Sequence, residues 1–274
     1  MEINAQTIWS DIEAIRNNAP LIHNITNYVT MNNSANALLS IGASPVMAHA
    51  DEEAAEMAEL AKALVINIGT LDSTWVKAMK KAFIRAHEIN VPVVIDPVGA
   101  GATRYRTETV LDLLSIANPA LIRGNGSEIL AISGVKTGTK GVDSTSSSEY
   151  AIEAGLKLSK NHHCVVCISG EQDFIIEDDT LVKIGNGHFM MQRVTGLGCT
   201  ASALCGAFLA VNSSFLTATA HAMAVMGIAG EISGENAKGP GTLQLKFLDQ
   251  LYSITQSDIT DRLKLEVMMP YEFY

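Results

Sequence analysis

The chain has 274 residues, 47% hydrophobic and 18% charged, with a formal net charge of −10. The apolar content supplies a buried core and excludes a disordered chain, and the acidic excess excludes nucleic acid as a partner, because negative surfaces repel phosphate backbones. A free nucleotide is still accommodated, since backbone N–H groups and one or two local cations hold it whatever the global charge.

In chain order, Thr7 to Asn18 reads as a helix and Leu21 to Ile25 as a strand. Val29 to Ser40 reads as a helix stopped by Gly42, followed by a short extended piece, Pro45–Met47. Glu52 to Lys62 is Ala- and Glu-rich and helical; Ala63 to Ile68 is an apolar strand ending at Gly69. Ser73 to Ile89 is a helix, and Val91 to Ile95, Leu121-Ile122 and Val165 to Ile168 are further central strands. Near-continuous apolar strands separated by helices predict an α/β fold, a mostly parallel sheet flanked by helices on both faces. Gly141 to Ser148 reads as a surface loop before a helix. Asp173 to Val194 reads as antiparallel edge strands with a turn at Gly185-Asn186-Gly187. Cys199 to Val211 and Phe215 to Asn236 are long apolar helices rich in small residues, and Leu243 to Tyr252 is a last amphipathic helix. There is no internal repeat or linker, so residues 1–274 are expected to form a single domain.

No apolar run reaches the roughly 18–20 residues that span a bilayer. Met1-Glu2-Ile3-Asn4 lacks the basic and apolar regions of a signal peptide, so a cytoplasmic protein with no membrane partner is expected. Cys164-Val-Val-Cys167 has the C-x-x-C spacing. It lies on an apolar strand, however, where residues three apart point to opposite faces, so the sulfurs are expected to diverge and serve as small apolar groups.

Ligands of open parallel sheets bind at the carboxyl ends of the strands. Here these ends carry Gly69-Thr70, the run from Asp96 to Thr103, the run from Arg123 to Glu128, and Ser169-Gly170-Glu171. Thr195-Gly196-Leu197-Gly198-Cys199 precedes a long helix. Gly196 and Gly198 let backbone N–H groups converge, and the helix behind adds unpaired N–H groups and the positive end of its dipole. That is an anion hole suited to a phosphoryl group in transfer. Asp96 and Glu128, each just past a strand, suit a magnesium ion that keeps several waters. The plainer alternatives are a turn residue before Pro97 and a first-turn helix glutamate. Arg123, the one cation directly at a strand end, matches a nucleotide phosphate; its plainer alternative is a surface ion pair.

Seven stretches together resemble the hydroxyethylthiazole kinase family of the ribokinase-like superfamily. They are PLIHNITNYV (20–29), GASPVMAHA (42–50), LVINIGTL (64–71), VPVVIDPVGAGATRYRT (91–107), IRGNGSEI (122–129), VTGLGCTASA (194–203) and GPGTLQLKFLDQL (239–251). The resemblance implies a ribokinase-like fold, Mg²⁺ with ATP as phosphoryl donor, and a homotrimer with active sites at subunit interfaces. It implies phosphorylation of the hydroxyl of 5-(2-hydroxyethyl)-4-methylthiazole for thiamine biosynthesis and salvage. By resemblance Asn27, Met47 and Gly196 contact the thiazole, Arg123 and Ser169 contact ATP, and Asp96 and Glu128 stand on the magnesium side. Gly196, Gly198 and Cys199 form the catalytic turn, with Cys199 where most ribokinase-like enzymes carry aspartate. Ser169 replaces a commoner threonine and keeps its hydroxyl. Leu197 replaces a smaller residue, with its side chain expected to point away from the hole. Rival readings are a pyridoxine or hydroxymethylpyrimidine kinase, an NAD(P)H-hydrate dehydratase, which usually have aspartate at position 199, and a non-catalytic thiazole binder.

Overall fold

The computed structural model describes residues 2–135 and 144–268. The first half alternates helices and strands: α1 (Ala5–Asn18), β1 (Leu21–Ile25), α2 (Met31–Ile41), β2 (Ser44–Val46), α3 (Ala54–Leu60), β3 (Ala63–Asn67), α4 (Ser73–Glu88), β4 (Val93–Asp96) and α5 (Arg104–Ile116). The second half holds β5 (Leu121–Asn125), α6 (Gly126–Ser133), α7 (Ser144–His162), β6 (Val165–Ser169), β7 (Asp173–Glu177), β8 (Thr180–Ile184), a 3₁₀ turn (Phe189–Arg193), α8 (Leu197–Leu209), α9 (Phe215–Glu235), α10 (Pro240–Ser253), α11 (Gln256–Arg262) and β9 (Leu265–Met268).

The strands form one nine-stranded sheet in the order β2-β1-β3-β4-β5-β6-β7-β8-β9. Pairing is parallel from β2 to β6 and antiparallel from β6 to β9. Alternate strand residues feed two cores. Ile22, Val65, Val94, Leu121 and Val165 pack against α1, α2, α8, α9, α10 and α11. Leu64, Ile66, Ile95, Ile122 and Val166 pack against α3 to α7. Both sheet faces are therefore dry, which is why the strands read as unbroken apolar runs. Cys164 sits in the second core and Cys167 in the first, so the sheet separates their sulfurs, as the strand geometry requires. Burial pushes the Cys164 thiol up to about 12.

Local signals set the element ends. Asn4 and Asp72 cap α1 and α4 by accepting first-turn N–H groups. Gly42 ends α2 in the left-handed conformation, φ 107°, hard against Arg16. Helix α9 is 21 residues long and apolar enough by composition to cross a membrane, yet 89% of its most apolar window is buried inside the fold. It is a core helix.

Some expectations are corrected. The β7–β8 hairpin turns at Asp178-Asp179, between the paired Glu177 and Thr180, with Asp178 at φ 50°. Asp tolerates that left-handed conformation, so a two-residue Asp-Asp loop closes the hairpin and the glycines at 185 and 187 instead lead the chain off the sheet. The Ser-rich stretch is helical from Ser144; Gly141–Asp143 lie outside the described residues. The helix over 243–252 is not the last element, because α11 and β9 follow and β9 extends the sheet beside β8. Helices α5 and α11 and strand β9 were not anticipated, and α6 was anticipated only as the alternative reading of Glu128.

The close approach of α8 to the sheet carries its first turn to the strand ends. A Cβ at Gly206 would stand 2.7 Å from Val65 Cγ2 and 3.2 Å from Ile22 Cγ2, so the helix backbone rests directly on β1 and β3. Replacing Gly206 by Val is expected to destabilise the fold by about 1–3 kcal/mol through overpacking, read as a lower midpoint in urea unfolding. An unchanged midpoint would mean that this contact does not set the helix height.

Candidate active site

The carboxyl ends of β1, β3, β4, β5 and β6 and the first turn of α8 converge on one edge of the sheet. Gly196 precedes α8 at φ 84°, where glycine is favoured, and a Cβ there would lie 2.6 Å from Thr30 Cγ2. No side chain caps the helix, and its first internal bond is from Thr200 N–H to the Gly196 carbonyl. The N–H groups of Leu197, Gly198 and Cys199 therefore precede the helical ladder and stand open at the positive end of the dipole. Leu197 is buried in the apolar core and also lines the cavity beside Gly198.

Beneath the turn lies a chain of buried polar side chains. Asn27, past β1, donates from Nδ2 to Asn67 Oδ1 at 2.8 Å and to Cys199 Sγ at 3.3 Å. Asn67, the last residue of β3, also accepts from Gly69 N–H at 3.0 Å and donates to Asp96 Oδ2 at 2.7 Å. Ser202, one turn into α8, donates to the same Asp96 oxygen at 2.7 Å. Asp96 is thus no turn-capping residue. It is 2% exposed, and burial lifts its carboxyl to about 6, while the Arg123 charge and the Ser202 and Asn67 donors hold it back.

Arg123 is buried, so it is not part of a surface ion pair. Its Nη1 donates to the Gly198 carbonyl at 2.8 Å, and its Nε has no hydrogen-bond partner among the described residues. Burial pulls the guanidinium down, but the surrounding groups, Asp96 foremost and Asp173 among them, together outweigh it and the net shift is upward. A Cβ at Gly198 would stand 3.2 Å from Arg123 Nη1, so the glycine keeps the space between helix and guanidinium clear. On the neighbouring strand Ser169 Oγ donates to the Gly124 carbonyl at 3.3 Å. Arg123, Ser169, Gly198 and buried Asp173 all line one cavity of about 740 Å³.

Glu128 occupies the third position of α6. Its Oε2 accepts from Asn125 N–H at 2.8 Å, completing a capping box, and its Oε1 accepts from Gly99 N–H at 2.8 Å. The first-turn reading is therefore right as far as it goes, and the same carboxylate ties α6 to the loop after β4. Met47 stands apart from the Cys199 group. It follows β2 at the sheet edge, half-buried, next to His49, whose ring packs on Trp75 with centroids 4.4 Å apart.

Four residues of the site escaped the sequence reading. Asn67 ends an apolar strand, and a polar residue in that place is the signal that was there to be used. Ser202 lies three residues past Cys199, on the same helix face. Asp173 faces the cavity; burial raises its carboxyl to about 6, against the pull of the Gly170 N–H bond and the Arg123 charge. Arg106, from α5, shows that Arg123 is not alone among cations here. It donates to the carbonyls of Ile68, Val98 and Gly69 at 2.9, 2.7 and 2.7 Å and binds the loops after β3 and β4 together.

An uncapped helix start, a buried guanidinium and a buried carboxylate stand together at the ends of parallel strands, an arrangement with the chemistry to receive a phosphoryl group in an α/β fold of the ribokinase-like kind. The profile of the hydroxyethylthiazole kinase family matches residues 12–257. The hydroxyethylthiazole kinase of Syntrophus aciditrophicus (strain SB) is 59% identical over 266 residues, which cover 97% of this chain and 98% of that protein. That of Leptospira biflexa is 52% identical over 253 residues, 92% of this chain and 95% of the other. The solved structure of the hydroxyethylthiazole kinase protein from Pyrococcus horikoshii OT3 superposes with a TM-score of 0.89 at 42% identity, covering 96% of this chain and 99% of that one. Pyridoxal kinase from Staphylococcus aureus, at 15% identity and a TM-score of 0.64 over 91% of this chain and 98% of that one, shares the fold. The chain belongs to the hydroxyethylthiazole kinase family.

Cys199 is half-buried, and burial pushes its thiol up. The Asp96 charge adds to this, and the donors Asn27, Asn67 and Thr30 offset it in part. A raised thiol is neutral at neutral pH, and its thiolate grows only as pH climbs past the ordinary range. Alkylation of Cys199 by iodoacetamide, followed by peptide mass spectrometry, is therefore expected to be slower at pH 8 than that of free cysteine and still rising above pH 9. A rate that levels off below pH 8 would show an activated thiolate instead.

Proposed function

We propose that this chain is an ATP-dependent kinase that transfers the γ-phosphoryl group to the hydroxyl of 5-(2-hydroxyethyl)-4-methylthiazole, giving the thiazole phosphate used in thiamine biosynthesis and salvage. The observation that carries this reading is the open first turn of α8 beside buried Arg123, in a chain of this family. The N–H groups of Leu197, Gly198 and Cys199 receive the phosphoryl oxygens as charge develops on them, and the guanidinium supplies a fixed positive charge at no reorganisation cost. Ser169 and Arg123 hold the ATP phosphates, on the side of the cavity they line. Asn27, Met47 and Gly196 bind the thiazole alcohol; Met47 offers an apolar, polarisable surface to a flat sulfur-containing ring.

Cys199 stands at the head of the anion hole, and its neutral thiol makes a poor general base. The alcohol proton goes instead to an oxygen of the transferred phosphoryl group, and the rate comes from positioning and charge stabilisation. Asn27, held by Asn67 and turned to the Cys199 sulfur, fixes that side of the acceptor pocket.

The residues fit a magnesium ion. Asp96 uses only Oδ2 for its two hydrogen bonds, and Glu128 oxygens each accept one N–H, leaving lone pairs for metal-bound water. Asp96 and Glu128 would hold it, and when bound it would neutralise charge on the ATP phosphates.

We also read residues 1–274 as one domain, working in the cytoplasm as part of a homotrimer with its sites at subunit interfaces. The resemblance supports the trimer. So does the placing of Asn27 and Met47 near the edge of the sheet, next to Tyr28 and Val29, which are 63% and 60% exposed in the single chain. A second subunit covering these side chains would close the acceptor pocket against water.

The first test is ADP release with Mg²⁺ and three alcohols, the thiazole, hydroxymethylpyrimidine and pyridoxal. Turnover is expected with the thiazole and to disappear with EDTA; markedly better turnover of either competitor would overturn the substrate assignment. The second is the mass of the active protein by light scattering at micromolar concentration, expected at three times the 29.2 kDa chain. A fully active monomer would sink the shared-site reading.

A further inference from the structure

One wall of the cavity is built from a single stretch, residues 185–192, that leaves β8 and crosses to α8. Three glycines of α9 let it lie flat on that helix. A Cβ at Gly227 would stand 2.6 Å from the Asn186 carbonyl oxygen; one at Gly230 would run into the Met191 sulfur, and one at Gly234 into the His188 ring. Spacings of three and four put these glycines on one helix face. The wall in turn presents the rings of His188 and Phe189, with centroids 4.5 Å apart, on the cavity side.

The other grip on this wall comes from the end of the described chain. Asn186, 5% exposed, accepts from Lys264 N–H at 2.8 Å and donates to the Arg262 carbonyl at 2.7 Å and to Glu231 Oε1 at 3.2 Å. The same Glu231 oxygen accepts from Gly187 N–H at 3.1 Å and Lys264 Nζ at 2.8 Å. Gly185 N–H bonds to the Lys264 carbonyl at 2.9 Å, and Arg262 forks onto Glu235 at 2.6 and 3.2 Å. Glu231 is 8% exposed. Burying a carboxylate is costly, and packing alone would be served as well by an apolar side chain. What a carboxylate adds is direction: three donors from two distant parts of the chain, Asn186-Gly187 and Lys264, are fixed on one oxygen.

We propose that Glu231 and Asn186 are positioning residues for the phosphoryl donor, fixing the 185–192 wall and making the segment 256–268 part of the nucleotide site. The proposal rests on the reading of this cavity as the ATP side of the site. Neither residue touches the reacting atoms, so their removal should weaken the nucleotide more than the acceptor.

The test is ADP affinity by calorimetry on full-length variants, with KM values for ATP and the thiazole alcohol. Glu231→Ala is expected to weaken ADP about tenfold, the loss of charge-assisted hydrogen bonds, and to raise the ATP KM in parallel, with the thiazole KM changed less than about twofold. Glu231→Gln keeps an acceptor oxygen and should recover most of the affinity. Should Glu231→Ala not fold, Lys264→Met decides, because that side chain is 61% exposed; a few-fold weaker ADP is expected there. A folded variant with a lower Tm and parental ADP affinity, or equal losses in both KM values, overturns the proposal. The cavity reading has its own readout in the parent: ADP should protect residues 185–192 from hydrogen exchange, and absence of protection would sink that reading rather than the role of Glu231.

Discussion

Helix α8 lies so close to β1 and β3 that a methyl group at Gly206 would have no room, and most of the site follows from that approach. A helix held at this height brings its first turn level with the strand ends. The loop entering it must then turn sharply at Gly196, against Thr30, and pass Arg123 at Gly198. Each glycine answers a close approach. The small residues of α8 and α9 are therefore a way of placing an uncapped helix start at the strand ends, as well as a means of filling the core.

Around this turn the chain buries charge at a cost to its own stability. The Asp96 carboxyl is raised from 3.8 to about 6 by burial. A carboxyl whose folded value is raised binds its proton more tightly in the native state. Stability tied to it is whole at acid pH, is lost as pH rises from 3.8 through about 6, and is missing at neutrality. Asp173 behaves in the same way on the other side of Arg123. The guanidinium compensates both in part, and a bound cation would offset the negative charge that remains. In a chain of net charge −10, Arg123 places a fixed positive charge inside the fold at the strand ends.

The central sheet was legible because both its faces are dry, so its strands appear as plain apolar runs. The sharp turn into α8 was legible because glycines just before a long helix mark a backbone that must bend there, whether as a plain loop-to-helix turn or as an open helix start. What stayed hidden has a common cause. Asn67 and Ser202 matter only through partners far away in sequence, at Asn27 and Asp96, and no local pattern announces such pairings. Arg106 gave no local signal, because its role depends on α5 folding it back onto three carbonyls. The hairpin turn was misplaced because glycines at 185 and 187 outweighed Asp178-Asp179, a weaker signal that nevertheless closes a two-residue loop. Strand β9 pairs with β8 across more than eighty residues, is only four residues long and leaves the adjacent Glu266 and Val267 both exposed, so neither run nor alternation marked it.

The residue at position 199 shows how far the surroundings constrain the chemistry. A carboxylate at the head of the hole would accept the alcohol proton readily, but it would also put a third buried acid near Asp96 and repel the phosphoryl group it is meant to help. A thiol avoids both penalties by staying neutral, and Asp96 itself helps to keep it so. The same charge that favours a cation thus disfavours a thiolate nearby, which argues against a covalent cysteine intermediate: the nucleophile would have to form where its own neighbour opposes it, next to an incoming group of the same sign. The mechanism we propose accordingly needs no base at position 199: Asn27 would orient the acceptor, the three open N–H groups and Arg123 would hold the phosphoryl group, and the alcohol proton would travel with it.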